Sequence, residues 1–234
     1  MINKIINSCL NNPADFIVGF ADLNGIIEDS TFRYGLVIGK RLNSQIIDSI
    51  IDGPTLEYFK HYKDVNAELS ALIHKIAGRI SDTGFGCKIV EPTVGAAVTS
   101  TENYKLTLRT PISHKMIGTR AGLGWIGKTD LFISRKFGPR LRLVSLLTDY
   151  PLEISAVPIN KSKCGKCNIC VESCPVKAAT GQLWDVNTDR DAFFNAHKCR
   201  DNCKELTRTR INVNATICGI CVSVCPIGKS KRKN

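Results

Sequence analysis

Cys164, Cys167, Cys170 and Cys174, the last followed by Pro175, form the pattern C-x2-C-x2-C-x3-C-P. This spacing winds a short loop around three corners of a 4Fe–4S cubane and sends the fourth thiolate, turned away before the proline, to a second cluster. A partner set therefore has to exist. Cys218-Gly-Ile-Cys221-Val-Ser-Val-Cys225-Pro226 repeats the pattern without its first cysteine, and Cys199 and Cys203 lie upstream to supply it. The crossing rule gives a wiring. Cluster 1 takes Cys164, Cys167, Cys170 and Cys225; cluster 2 takes Cys174, Cys218, Cys221 and either Cys199 or Cys203. Zinc uses C-x2-C pairs but not a threefold run closed by Cys-Pro and given twice. Disulfides need an oxidising compartment, to which nothing in the sequence points.

A second stretch also has chemical content. Gly122-Leu-Gly124-Trp125-Ile-Gly127-Lys128-Thr129 satisfies G-x4-G-K-[ST], the phosphate-binding loop of many NTPases. Asp149, at the end of an apolar run, stands where a magnesium-binding Asp would. Such a loop must leave a strand and open a helix. Here Lys115–Arg120 reads as helical or irregular and Leu131–Ser134 as a strand, so a nucleotide site is the weaker reading. Glycines that let the backbone approach a large flat cofactor fit better, and a Gly-rich corner packed by Trp125 is the plain alternative.

The elements that must hold these residues are read from periodicity. Residues 3–10 form a short helix. Phe16–Phe20 and Tyr34–Gly39 are apolar, β-rich strands, and Ser44–Ile51 is a short amphipathic helix. A long helix covers about 54–80, with Leu56, Phe59, Val65, Leu69, Leu72, Ile73 and Ile76 at helical spacing. His61 and His74 share no partner at ligand spacing. Cys87–Glu91, Leu131–Ser134 and Leu141–Leu147 read as strands, and Ser113–Arg120 as a helical turn or two. Residues 92–112 show no clear period. Cys87 stands apart from the cluster set as a buried thiol. Tyr150–Lys163, with Pro151 and Pro158, joins an α/β domain over 1–155 to a cluster domain over 156–234.

Composition sets the outer bounds. The chain has 234 residues, is 43% hydrophobic and carries a formal charge of +11. That is enough for a full core plus a small module. Two oxidised clusters with their thiolates carry about −2 each, leaving roughly +7. An anionic partner is implied: RNA, an acidic electron donor or a phosphorylated cofactor. The tail Lys229-Ser-Lys-Arg-Lys233 is either a solvated end or a nucleic-acid contact. No apolar run spans a membrane, and the start lacks an export signal, with too few residues before Cys9 for a lipoprotein site; the expected home is the cytoplasm.

Ala121-Gly-Leu-Gly-Trp-Ile-Gly-Lys128, an apolar strand ending Leu147-Thr-Asp149, and the two cluster motifs together closely resemble epoxyqueuosine reductases and, more distantly, reductive dehalogenases. The match runs over roughly 110–228. The resemblance implies an α/β (α+β) nitroreductase-like cobalamin domain followed by a small ferredoxin-like double 4Fe–4S domain. It implies an oxidoreductase whose clusters pass electrons to a bound corrinoid, with a ferredoxin or flavodoxin as donor and tRNA or a corrinoid protein as partner. Gly122, Gly124, Trp125, Gly127 and Lys128 would line the cofactor. Cys199 matches the upstream cluster 2 ligand better than Cys203. Two departures stand out. Counting back without gaps, the family's proton-donating Asp falls on Leu108, upstream of Pro111, and a neighbouring Glu falls on His114. His114 is the candidate acid, against an ordinary polar surface residue; Tyr104 and Glu102 rank behind it. The sequence also stops soon after Cys225, without the extension that helps relatives hold tRNA. A two-cluster electron carrier or corrinoid-reactivating protein without substrate chemistry is the alternative function.

Overall fold

The computed structural model describes residues 2–28 and 31–229. Residues 230–234, most of the basic tail, lie outside that range. The chain divides into two compact units whose segments interleave. Of the described residues, the first holds those within 2–41, 64–123 and 142–159; the second holds those within 42–63, 124–141 and 160–229. The cluster segment is therefore not a unit by itself, as a single boundary at 155/156 implies: two earlier segments fold with it.

The first unit is built on a four-stranded sheet in the order β1-β2-β6-β3, with β1 Phe16–Asp22, β2 Tyr34–Arg41, β3 Cys87–Val90 and β6 Leu141–Thr148. β1 and β2 run antiparallel with Gly19 opposite Val37, and β3 pairs antiparallel to β6 with Ile89 opposite Leu146. All four strands appear where β-rich runs predict them. Helix α1 (Ile2–Asn7) precedes them. Helix α3 (Leu56–Ser81) buries Val65, Leu69, Leu72, Ile73 and Ile76 of the expected stripe, and Ile80 beyond it, while Phe59 is half-buried and Leu56 is exposed. Truncating a fully buried member such as Ile73 to alanine costs about 2–5 kcal/mol.

Residues 92–112 contain two short helices that their composition does not announce, α4 (Ala96–Thr99) and α5 (Glu102–Thr107). Thr101 caps the second by accepting from the Tyr104 N–H. Helix α6 (His114–Arg120) then packs on β1 and β2. The close approach needs glycine: a Cβ on Gly19 would meet Ala121 and Leu123, and one on Gly35 would meet Leu23 and Ile117. Ala21, Leu23, Val37, Ile117, Ala121 and Leu147 form the resulting core.

In the second unit, α2 (Ser44–Asp48) begins at Asn43, whose side chain accepts from the N–H groups of Gln45 and Ile46. A hairpin of β4 (Gly124–Ile126) and β5 (Phe132–Ser134) follows, with Trp125 opposite Ile133. The cysteine segments carry α7 (Ile169–Glu172), α8 (Arg190–Phe193), α9 (Ala196–Ile211) and α10 (Ile220–Val224), and α7 packs on α10. Arg140 is buried and ties this unit together. Its Nη2 donates to Asp48 Oδ1 at 2.7 Å and to the Ser223 carbonyl at 3.0 Å, linking α2 to α10.

Candidate metal centre

The two cysteine motifs fold alike. Asn168-Ile-Cys170-Val and Gly219-Ile-Cys221-Val each open one short helix, α7 or α10, and each helix stops just before a Cys-Pro, Cys174-Pro175 or Cys225-Pro226. Proline cannot continue a helix, and the residue before it leaves the α region; Cys225 has φ −61° and ψ 126°. The fourth cysteine of each motif is thus turned out of its own loop.

Cys225 ends among the thiols of the other motif. Burial, opposed by a hydrogen bond from the Ile227 N–H, pushes it up to about 11, and the neighbouring Cys170, Cys164 and Cys167 add to the rise. Cys170 is raised chiefly by burial as well, with Cys164 and Cys167 beside it. Cys167 is exposed and the other three are half-buried. Cys170 and Cys225, whose burial opposes deprotonation, become favourable ligands when iron replaces their protons.

The second group gathers on α9 and α10. Asn195 caps α9 by accepting from the Lys198 N–H, so Cys199 falls in the helix's first turns and Cys203 one turn later on the same face. The Cys203 thiol faces both Cys199 and Cys218 and shares its one hydrogen bond between them. That bond lowers Cys199 and brings Cys218 down to about 7, while Cys203 itself is pushed strongly up. Cys221 is raised by burial, with Cys218, Cys199 and Cys170 as its charged neighbours. Cys174, at the end of α7, accepts from the Ala178 N–H at 3.4 Å. Among the described residues no three His, Cys, Asp or Glu side chains sit close enough to hold a single metal ion. A cubane asks instead for thiols grouped around it but held apart at its corners.

The glycine-rich stretch adjoins these thiols. β4 is followed by a turn and then by the strand β5, so no helix opens at Gly127-Lys128-Thr129 and the phosphate-loop reading fails. Trp125 Nε1 donates to Cys164 Sγ at 3.4 Å. Lys128 is 4% exposed, and its Nζ donates to Asn168 Oδ1 at 2.6 Å, inside the first cluster loop. The Thr129 hydroxyl, with one hydrogen to give, faces both Cys170 and Cys221. The sequence alone points to none of these three contacts, because they depend on a hairpin whose first strand is three residues long.

The same stretch does not fit the role of a corrinoid face. A Cβ on Gly122 would meet the Val157 carbonyl at 2.8 Å, one on Gly124 would strike the Ile133 carbonyl, and one on Gly127 would meet the Ile133 side chain at 3.0 Å. Protein, not open space, lies against each glycine. Gly122, Gly124, Trp125, Gly127 and Lys128 are thus spent on close packing and on the first cluster loop.

His114, the candidate acid, is also committed. Its Nε2 donates to the Glu91 carbonyl at 3.0 Å, so its Nδ1 accepts from the Ser145 hydroxyl at 2.8 Å. Burial lowers it to about 4, which leaves it neutral at pH 7. It is neither a ready proton donor nor a loose surface residue, but a strut between β6, the end of β3 and α6. Leu108 caps α5 in the left-handed conformation, with φ 51°. Glu102 pairs with Lys105, and Tyr104 lies on the same helix.

Fold and thiols together define a double-cluster iron–sulfur protein. Residues 163–228 match the family model described as a 4Fe-4S double cluster binding domain. The chain is similar to the epoxyqueuosine reductases, as the motifs indicate. It is 30% identical to the epoxyqueuosine reductase of Leadbetterella byssophila over 116 residues, which cover 50% of this chain and 37% of that protein. The chain thus matches only about a third of the length of such curated relatives. The mixed α/β fold is that of epoxyqueuosine reductase from Bacillus subtilis, with TM-score 0.60, 16% identity, 98% of this chain and 65% of that one. A reductive dehalogenase whose structure was described for B12-dependent dehalogenation gives TM-score 0.65 at 15% identity, over 92% of this chain and 30% of that one. No described helix is long and apolar enough to cross a membrane.

Proposed function

We propose that this protein is an iron–sulfur oxidoreductase that moves single electrons through two 4Fe–4S clusters. Cys164, Cys167, Cys170 and Cys225 hold one; Cys174, Cys199, Cys218 and Cys221 hold the other. The observation that carries this reading is Cys225, which lies among the three thiols of a loop more than fifty residues earlier in the chain. Cys221 also lies near Cys170, so ligands of the two sets are neighbours, as a relay between clusters requires.

The exposed Cys167 lies in a segment whose lysines, Lys161, Lys163, Lys166 and Lys177, are also exposed. That segment supports docking of an acidic electron donor such as a ferredoxin or flavodoxin, in a compartment that keeps thiols reduced. A tRNA partner is the competing use of the basic charge. Salt-sensitive tRNA binding unaffected by removing these lysines would favour it.

The test is anaerobic reconstitution followed by iron, sulfide and EPR measurements. About eight iron atoms per chain and two interacting reduced-cluster signals are expected. A zinc-loaded protein that takes up no sulfide would overturn the reading.

Reduction of a substrate through a bound corrinoid is a second reading, supported by likeness to the B12-dependent dehalogenase. The group would supply a strongly reducing metal centre. Residues other than the glycine-rich stretch would have to hold it. Added cob(II)alamin should then show the EPR signal of a bound, base-off form; a signal unchanged from free cofactor beside reduced clusters would leave an electron carrier.

A further inference from the structure

Three residues of the glycine-rich stretch face the thiols with donors or positive charge. They are Trp125, Lys128 and Thr129, exposed by only 6%, 4% and 7%. All belong to the same compact unit as the cysteine segments. Trp125 reaches one sulfur, Cys164 Sγ, at 3.4 Å. Lys128 lies against Asn168, the residue between Cys167 and Cys170. Thr129 reaches two sulfurs, Cys170 and Cys221. None of the three has another chemical use in the function proposed above.

We propose that the β4 strand and its turn set the reduction potentials of both clusters. Trp125 donates to a sulfur of the first cluster, the Thr129 hydroxyl shares its one hydrogen between a sulfur of each, and Lys128 is a buried counter-charge beside the first loop. The inference rests on the two-cluster reading and its crossed wiring.

Reduction adds one electron to a cluster and takes its net charge with four thiolates from about −2 to −3, with no bond broken. The electron comes from an external donor. Hydrogen bonds to ligand sulfur strengthen as that charge grows, and so does the attraction of a buried ammonium. All three residues therefore stabilise the reduced form and raise the potential. A lysine with so little access to water keeps its effect because solvent does not screen it. The resemblance to a phosphate loop arises because both tasks use a lysine and a hydroxyl against concentrated negative charge.

The experiment is an EPR-monitored redox titration of the anaerobically reconstituted full chain, with dithionite as reductant. Trp125→Phe keeps the ring and removes the donor; one midpoint should fall and the other stay. Thr129→Val keeps the shape and removes the hydroxyl; both midpoints should fall, and Thr129→Ser should restore them. Each lost donor is expected to change the reduction equilibrium about tenfold, about 59 mV for one electron. Lys128→Met should lower the first midpoint more than the second. Midpoints unmoved in Trp125→Phe and Thr129→Val would overturn the proposal, as would equal shifts of both midpoints in Trp125→Phe. Failure of these variants to load clusters would make the residues structural supports and overturn it too. If the unmodified chain shows no cluster signal after reconstitution, the two-cluster reading itself has failed.

Discussion

The Cys203 thiol, one helical turn beyond Cys199 on α9, faces the Cys199 and Cys218 sulfurs. Spacing leaves the two interchangeable as the missing ligand, but their surroundings differ. Cys199 is a charged neighbour of Cys221, whereas Cys203 is 6% exposed and faces Cys199 and Cys218. Cys199 is therefore the expected ligand and Cys203 a thiol whose one hydrogen supports the ligand sulfurs beside it. Cys199→Ser should remove one cluster, seen as loss of about half the iron and of one EPR signal. Cys203→Ser, which keeps a donor of similar size, should retain both clusters. The reverse pattern would make Cys203 the ligand.

The crossed wiring has its own test. Cys225 lies with the Cys164 loop, so Cys225→Ser should damage that cluster and spare the one held by α9 and α10. Cys174→Ser should do the opposite. Loss of the same signal from Cys225→Ser and Cys218→Ser would place Cys225 with its own motif and sink the crossing.

His114 makes a prediction about stability, not catalysis. Its folded value, about 4, lies below the ordinary 6.5, so the unfolded chain binds the proton more readily. The stability it contributes is complete above about pH 6.5 and is lost as pH falls towards 4. The full effect is at most about 3 kcal/mol. His114→Gln removes the titration. Its melting temperature should lie below that of the unmodified chain at pH 7, and the gap should narrow by pH 5. Electron transfer at pH 7 should be unchanged. A large fall in turnover with no change in melting would restore the proton-donor reading.

Much of this arrangement is legible in the sequence where chemistry or periodicity is local. The C-x2-C steps, the Cys-Pro stops and the stripe from Val65 to Ile76 all depend on residues a turn or two apart. The strands are equally plain, because β-branched and aromatic runs have few other uses. What escapes is set by distant contacts. β4 is too short for its period to register, and only its pairing with Ile133 shows that Gly124 is there for close packing. His114 reads as a titratable donor until the Glu91 carbonyl and Ser145, brought together by β3 and β6, occupy both ring nitrogens. Residues 42–63 and 124–141 join the cysteine unit by contacts that no composition change marks.

The packing role of the glycine-rich stretch can be separated from a cofactor role by one methyl group. Gly124 is buried, and an added Cβ would strike the Ile133 carbonyl. Gly124→Ala should destabilise the cluster-free chain by about 1–3 kcal/mol or more, since backbone cannot move aside as a flexible side chain can. Gly78→Ala, at a helical site where a Cβ meets nothing within 4 Å, is the control and should hold or slightly gain stability. If glycine served only to admit a corrinoid, Gly124→Ala would leave that chain's melting untouched and weaken corrinoid binding alone.

Nucleotide binding is the last expectation the geometry decides. A phosphate loop presents backbone N–H groups at a helix N-terminus and a lysine free to meet the phosphates. Here the segment after Thr129 leads into β5, Lys128 is buried on Asn168, and Thr129 is held by thiols. Admitting a triphosphate would require withdrawing Lys128 from its hydrogen bond and opening a hairpin whose strands are buried on both faces. Titration calorimetry with Mg-ATP on the reconstituted chain should show no saturable heat. Millimolar nucleotide should likewise leave the melting temperature unchanged, because a ligand stabilises a fold only by binding it. Tight binding abolished by Lys128→Ala would reverse the assignment and make the clusters accessory to a nucleotide site.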